Sequence, residues 1–349
     1  MAATEDQVRE TLRSVKYPGF SRDIVSFGLV KEVRISDGTV TVQLELATND
    51  AAIPRAIKAD AERALGSLAG VTQARVLVDI HAPPSGPSGP NAAAGATSIE
   101  GIRHVIAVAS GKGGVGKSTV AANLAVALER TEARVGLCDF DIYVPSISLM
   151  FGIRDRPTAT EENKIIPLEQ YNLKLMSMGF LLDDTSPAVL RGPMVTRYTQ
   201  QFLRQVEWGE LDYLVLDLPP GTGDIQLTIV QTVALAGAII VTTPQEVALI
   251  DARKASTMFE KVNVPVLGLI ENMSYFISPD SGKRYDIFGT GGGEREAKRL
   301  RVPLLGQIPI DIATRESGDR GMPITAEAGE SEVAASFMRI AARLRETLR

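Results

Sequence analysis

Residues 111–119, reading GKGGVGKST, restrict this 349-residue chain more than any other stretch. They follow an apolar run at 105–109 and precede a helix-like run at 119–129, and the first eight fit G-x-x-x-x-G-K-[ST]. Glycines let successive backbone N–H groups turn inward as a concave anion nest, and the following helix adds the positive end of its dipole. The pattern predicts that the segment Gly111, Lys112, Gly113, Gly114, Val115, Gly116, Lys117, Ser118 and Thr119 cradles a nucleoside triphosphate. Lys117 brings a point charge to the β/γ-phosphates, and the Ser118 hydroxyl is placed to ligate Mg²⁺.

Such a loop belongs to a sheet, and the rest of the chain supplies one. From residue 104 onward, apolar strand-like runs alternate with helical patterns, at 104–109, 134–138, 172–177, 213–216, 238–242, 266–270 and 304–307. Their continuous apolar character suits strands covered on both faces, so the fold class is α/β, a doubly wound, mostly parallel sheet. Ligands of such sheets lie beyond the carboxyl ends of the strands.

Residues 1–81 read instead as a small αββαβ unit. Thr4-x-x-Gln7 is a capping-box pattern opening a helix through about residue 15. Strand-like runs at 24–35 and 39–47 meet at Ser36-Asp37-Gly38, a hairpin cue. Val40, Val42, Leu44 and Leu46 alternate onto one side. A helix over 53–68 and a strand over 71–80 complete the unit. Residues 82–97 hold four prolines, three glycines and no charge, so they predict a tether. The nucleotide-binding domain then spans 98–349.

Composition removes several alternatives. A net charge of −5 gives no strong nucleic-acid signal. No apolar run reaches the length of a transmembrane segment, and the polar, acidic first ten residues are unlike a leader, so the expected address is the cytoplasm. Cys138 is the one cysteine, which excludes a disulfide within the chain and a cysteine-rich metal knuckle. His81 and His104, the only histidines, sit at a linker edge and a strand start, positions unlike that of a general base.

Lys112, just after the first glycine, makes KGGxGKST similar to the deviant phosphate loop of the MinD/ParA/Mrp group of ATPases. That resemblance implies an ATP-dependent homodimer in which Lys112 reaches the partner's phosphates, as an arginine finger does. Asp139-Phe140-Asp141 follows the second strand and resembles the group's first switch. The resemblance gives Asp141 the attacking water and Asp139 a place in the Mg²⁺ shell. Asp217 ends YLVLD in the Walker-B position, a carboxylate facing the metal's water shell. Residues 219–224, PPGTGD, resemble the second switch, with Asp224 read as the cap of the next helix. Asn272 and the loop carrying Pro309 and Asp311 would frame adenine.

The phrases ENMSYF, YDIFG and DLPPGTGD resemble the Mrp/ApbC iron–sulfur cluster carrier ATPases, and DIVSFGLV resembles the iron–sulfur assembly domain often fused to them. The resemblance implies apoprotein clients and a [4Fe–4S] cluster held by the CxxC pairs of two subunits. Here Ser278 and Ser281 occupy the thiol positions, and Ala51 or Ala52 falls where the small domain commonly places a cysteine. Serine is a hard ligand poorly matched to such clusters, so the residues argue against a bridging cluster. The expected function is therefore a dimeric ATP-hydrolysing switch in cluster assembly or transfer. The alternative is a MinD/ParA-like positioning ATPase acting on membrane, DNA or a partner protein. Residues 331–349 form a basic amphipathic pattern, read as a helix packed on the core before a membrane grip.

Overall fold

The computed structural model describes residues 3–16, 23–25, 29–36, 38–47, 52–68, 70–81, 96–141, 145–161, 164–180, 199, 201–327 and 331–348. The chain divides into two compact units, Met1–Pro87 and Ser88–Arg349.

The small unit contains α1 (Glu5–Leu12), β1 (Val30–Ser36), β2 (Thr39–Ala47), α2 (Ala52–Gly66) and β3 (Gln73–His81). The Thr4 side chain accepts from the Gln7 amide, and the Gln7 side chain accepts in return from the Thr4 amide. In the sheet β1 runs antiparallel to β2, and β3 parallel to it. Val40, Val42, Leu44 and Leu46 meet Val8, Leu12, Ile57, Ala61 and Leu65 in one core. The helix stops at Leu12 rather than near 15, because the Val15 amide turns onto the Leu12 carbonyl. The first strand starts at Val30 rather than 24: Ile24 is a fully buried turn residue whose amide donates to Val15. Asp37, Ala51 and most of the expected tether, residues 82–95, lie outside the described residues, and Ala52 opens α2. Thr97, read as the tether's end, is bridged to Val233.

The large unit runs β4 (Ile102–Ala109), α3 (Lys117–Glu129), β5 (Val135–Asp139), α4 (Ile147–Met150), β6 (Thr158–Ala159), β7 (Ile165–Ile166), β8 (Leu168–Gln170), β9 (Leu173–Ser177) and β10 (Leu211–Asp217). It continues through α5 (Asp224–Thr232), β11 (Gly237–Thr242), α6 (Glu246–Lys261), β12 (Val266–Glu271), β13 (Phe276–Ile277), β14 (Arg284–Tyr285), α7 (Gly292–Leu300), β15 (Leu304–Gln307), α8 (Ile312–Asp319) and α9 (Glu332–Thr347). All seven expected strands form within one eight-stranded sheet of order β15-β12-β11-β4-β10-β5-β9-β8. The eighth strand, β8, was not expected; it pairs antiparallel with β9 at an edge, and the other pairings are parallel.

One face is covered by α3, whose residues 120–122 and 124–128 are buried with Val215, Leu137 and Ile239. On the other face Phe202, Trp208, Ile229 and Phe259 pack over Ala107, Leu214 and Leu216. Successive strands lie on both sides of β4, so the chain switches direction there and opens a crevice at the end of β4. The phosphate-loop sequence occupies that point. The apolar face of α9 (Val333, Phe337, Ile340, Leu344) is buried against α3 and β15, which makes it a packing helix. No helix among the described residues is long and apolar enough to cross a membrane.

Candidate functional site

The loop after β4 ends on Gly116, which holds φ +78 at the N-cap of α3 and starts the helix at Lys117. A side chain is disfavoured by that backbone, and a Cβ would collide with the amide of Asn272. Lys117 is only 6% exposed. Its ammonium donates to Asp217 Oδ1 at 2.5 Å and to Ser118 Oγ at 3.2 Å. Asp217 is fully buried at the tip of β10, and its Oδ2 has no hydrogen-bond partner among the described residues.

The register of β10 on β5 sets Asp139 opposite Asp217. Asp139 is also fully buried, but its oxygens are occupied. Oδ1 accepts from the Asp141 amide at 2.8 Å; Oδ2 accepts from the Ser146 and Ile147 amides at 3.2 and 3.3 Å and from Ser177 Oγ at 3.0 Å. Burial, then the charge of Asp217, pushes the Asp139 carboxyl up to about 7, against the pull of these backbone donors and Lys117. Asp139 thereby ties the main chain at Asp141 to the start of α4. Asp141 itself is buried, 8% exposed. Lys112 is half-buried, and among the described residues its ammonium has no partner.

A cavity of about 450 Å³ adjoins the loop, with Gly116, Thr119, Asn272, Met273, Pro309 and Asp311 in its wall. Asn272 Nδ2 donates to the Val115 carbonyl at 2.9 Å, strapping the end of β12 to the phosphate-loop segment. Asp311, in the same wall, also caps α8: its carboxylate accepts from the Thr314 amide and hydroxyl, each at 2.7 Å. Leu149 and Met150 of α4 form another wall. The segment behind them is held where Gly152 (φ +64) and Gly321 (φ +79) pack main chain on main chain. Asp224 is not a cap. The N-cap of α5 is Gly223, without a side-chain bond, and Asp224 is the first helical residue.

Ser278 and Ser281 sit in the turn of the β13–β14 hairpin, where the Ser278 amide donates to Lys283 and its carbonyl accepts from Gly282. Cys138 is fully buried, and burial followed by the charges of Asp139 and Asp217 holds its thiol well above the ordinary range. Among the described residues no group of three or more His, Cys, Asp or Glu could hold a metal ion. Sequence reasoning missed Ser177, whose signal was its place at a strand end, and Met273, which reaches the cavity only through the tertiary fold.

A doubly wound sheet with this loop at its switch point defines the class: a P-loop nucleotide-binding protein. Residues 101–345 match the family described as NUBPL iron-transfer P-loop NTPase, and residues 5–78 match the iron–sulfur cluster assembly protein family. The chain belongs to the NUBPL-type iron-transfer P-loop NTPases, with the assembly-protein domain ahead of the NTPase. It is 44% identical to an iron–sulfur cluster carrier protein of Synechocystis sp., over 98% of this chain and 97% of the relative. Among solved structures it resembles a nucleotide-binding protein of Archaeoglobus fulgidus in complex with ADP, at 39% identity and TM-score 0.60, covering 68% of this chain and 93% of that one. It also resembles the septum site-determining protein MinD of Pyrococcus horikoshii, complexed with Mg-ADP, at 25% identity and TM-score 0.56, covering 70% and 97%.

Proposed function

We propose that the chain is an ATP-binding and hydrolysing switch, working as a homodimer in iron–sulfur cluster assembly or in cluster transfer to apoprotein clients. The carrying observation is the group Lys117, Ser118 and Asp217 at the mouth of the crevice, with one buried carboxylate oxygen of Asp217 left unpartnered among the described residues. A buried carboxylate oxygen without a donor is costly. It fits a hydrated cation arriving with the nucleotide, so Ser118 would ligate Mg²⁺ and Asp217, with Asp139 behind it, would face its water shell. Bound there, the ion would neutralise charge on the transferring phosphoryl group.

In this reading the amides of residues 111–119 receive the phosphates, Lys117 leaves Asp217 for them, and Asp141 holds the attacking water. Lys112, whose ammonium has no partner among the described residues, reaches the partner's phosphates. Asn272 and Pro309 flank the base, and Asp311 shapes that wall by capping α8. The cluster is cargo: the hydroxyls of Ser278 and Ser281 and the sequestered thiol of Cys138 supply no thiolate set for it. The buried apolar face of α9 favours this over a membrane-positioning switch.

Anaerobic reconstitution with iron and sulfide, run beside ATP hydrolysis, tests both halves. The expected result is Mg²⁺-dependent turnover that Lys117→Ala abolishes, with no stoichiometric iron retained. Unchanged turnover in Lys117→Ala would remove the enzyme reading. Stoichiometric iron lost on changing Ser278 and Ser281 would remove the cluster-free reading.

A further inference from the structure

Glu271, the last residue of β12, is a fully buried carboxylate that no lysine or arginine reaches among the described residues. A carboxylate without a cation must be held by hydrogen bonds. Its donors come from three separate segments. Oε1 accepts from Ser274 Oγ at 2.6 Å and from Gln307 Nε2 at 2.7 Å, while Oε2 accepts from the Gly293 amide. Ser274 precedes the β13–β14 hairpin and Gly293 follows it, so one side chain grips both stems of that exposed loop.

The same stems adjoin the cavity. Asn272 and Met273 stand between Glu271 and Ser274, and Phe288 lies in the returning stem; all three line the cavity. The entering stem is also paired by main chain to the cavity's Ile308–Ile310 wall: the Ser274 amide donates to Ile308, and the Ile310 amide donates to Tyr275. On the hairpin strands and just after them, Ile277, Tyr285 and Ile287 are exposed apolar side chains, between 44% and 55% accessible.

We propose that Glu271 is a positioning residue that joins the two hairpin stems to the wall of the nucleotide cavity, so that cavity occupancy sets the order of residues 276–287. The proposal rests on the reading of this cavity as a nucleotide site. Glutamine is the informative replacement because it keeps the volume yet accepts on one side only. It cannot serve Gly293 on one oxygen and Ser274 with Gln307 on the other. Ser274 gives a second, milder cut, since Ser274→Ala removes one donor and leaves the paired main chain intact.

The experiment is amide hydrogen exchange of the full chain with and without Mg-ATP, in wild type, Glu271→Gln and Ser274→Ala, beside ATP affinity for each. In wild type, ATP is expected to slow exchange across 276–287 by roughly threefold or more. In both variants ATP is expected to bind, with the hairpin response lost. Should Glu271→Gln fail to fold, Ser274→Ala decides alone. ATP-bound variants with a wild-type hairpin response would reduce Glu271 to a structural residue. Wild type that binds ATP without any hairpin response would also overturn the proposal. Wild type that does not bind ATP would sink the nucleotide reading along with it.

Discussion

Replacing Lys117 by alanine should damage the resting protein as well as its ATP turnover. Lys117 and Asp217 are 6% and 0% exposed, and the ammonium is the only cation bonded to that carboxylate among the described residues. Removing one partner of a buried pair typically costs about 3–5 kcal/mol, because the other charge is left uncompensated. At about 2–4 °C per kcal/mol for a domain near this size, the melting temperature should fall on the order of 10 °C. Removing the stranded charge identifies the cause: adding Asp217→Asn should recover most of the deficit without restoring ATP binding. Differential scanning calorimetry of the three proteins is the assay. A Lys117→Ala variant melting within about 2 °C of wild type, or a double variant no more stable than Lys117→Ala, would refute the argument.

Asp139, raised to about 7, makes a related prediction in the unmodified protein. The folded state holds its proton between about pH 4 and 7 while the unfolded state does not, so its contribution to stability declines across that window and Asp139→Asn should flatten the slope in a melting-temperature series. Ile340→Ala on α9, at a fully buried site against Gly306, should cost about 2–5 kcal/mol in denaturant melts, whereas a helix held free for membrane would lose almost nothing.

The phosphate loop and seven of the large sheet's eight strands could be read from residues alone, because glycine spacing and continuous apolar runs are local signals. β8 could not: three residues pairing antiparallel at an edge carry no period of their own. The start of β1 was misplaced since Ile24 and Val30 are both buried, and an apolar run does not say whether it is extended or turned. At the site, Lys117 and Asp217 were legible as types at positions, but their bond spans a hundred residues and exists only once β4 and β10 are neighbours. Asp224 and Asp311 show the limit most directly. Both are aspartates at a helix start, and a one-residue difference in where the helix begins makes only Asp311 the cap.

The seam at Gly152 and Gly321 puts an unusual restriction on how this protein can vary. A methyl group at 321 would strike the main chain of 152, not a side chain able to swing aside, and one at 152 would crowd the carbonyl of 321 at 3.3 Å. Enlarging one residue cannot be offset by shrinking the other, since neither has anything left to give up. Relatives sharing this architecture are therefore expected to keep the glycine pair together, or to lose both with the close approach of the two segments.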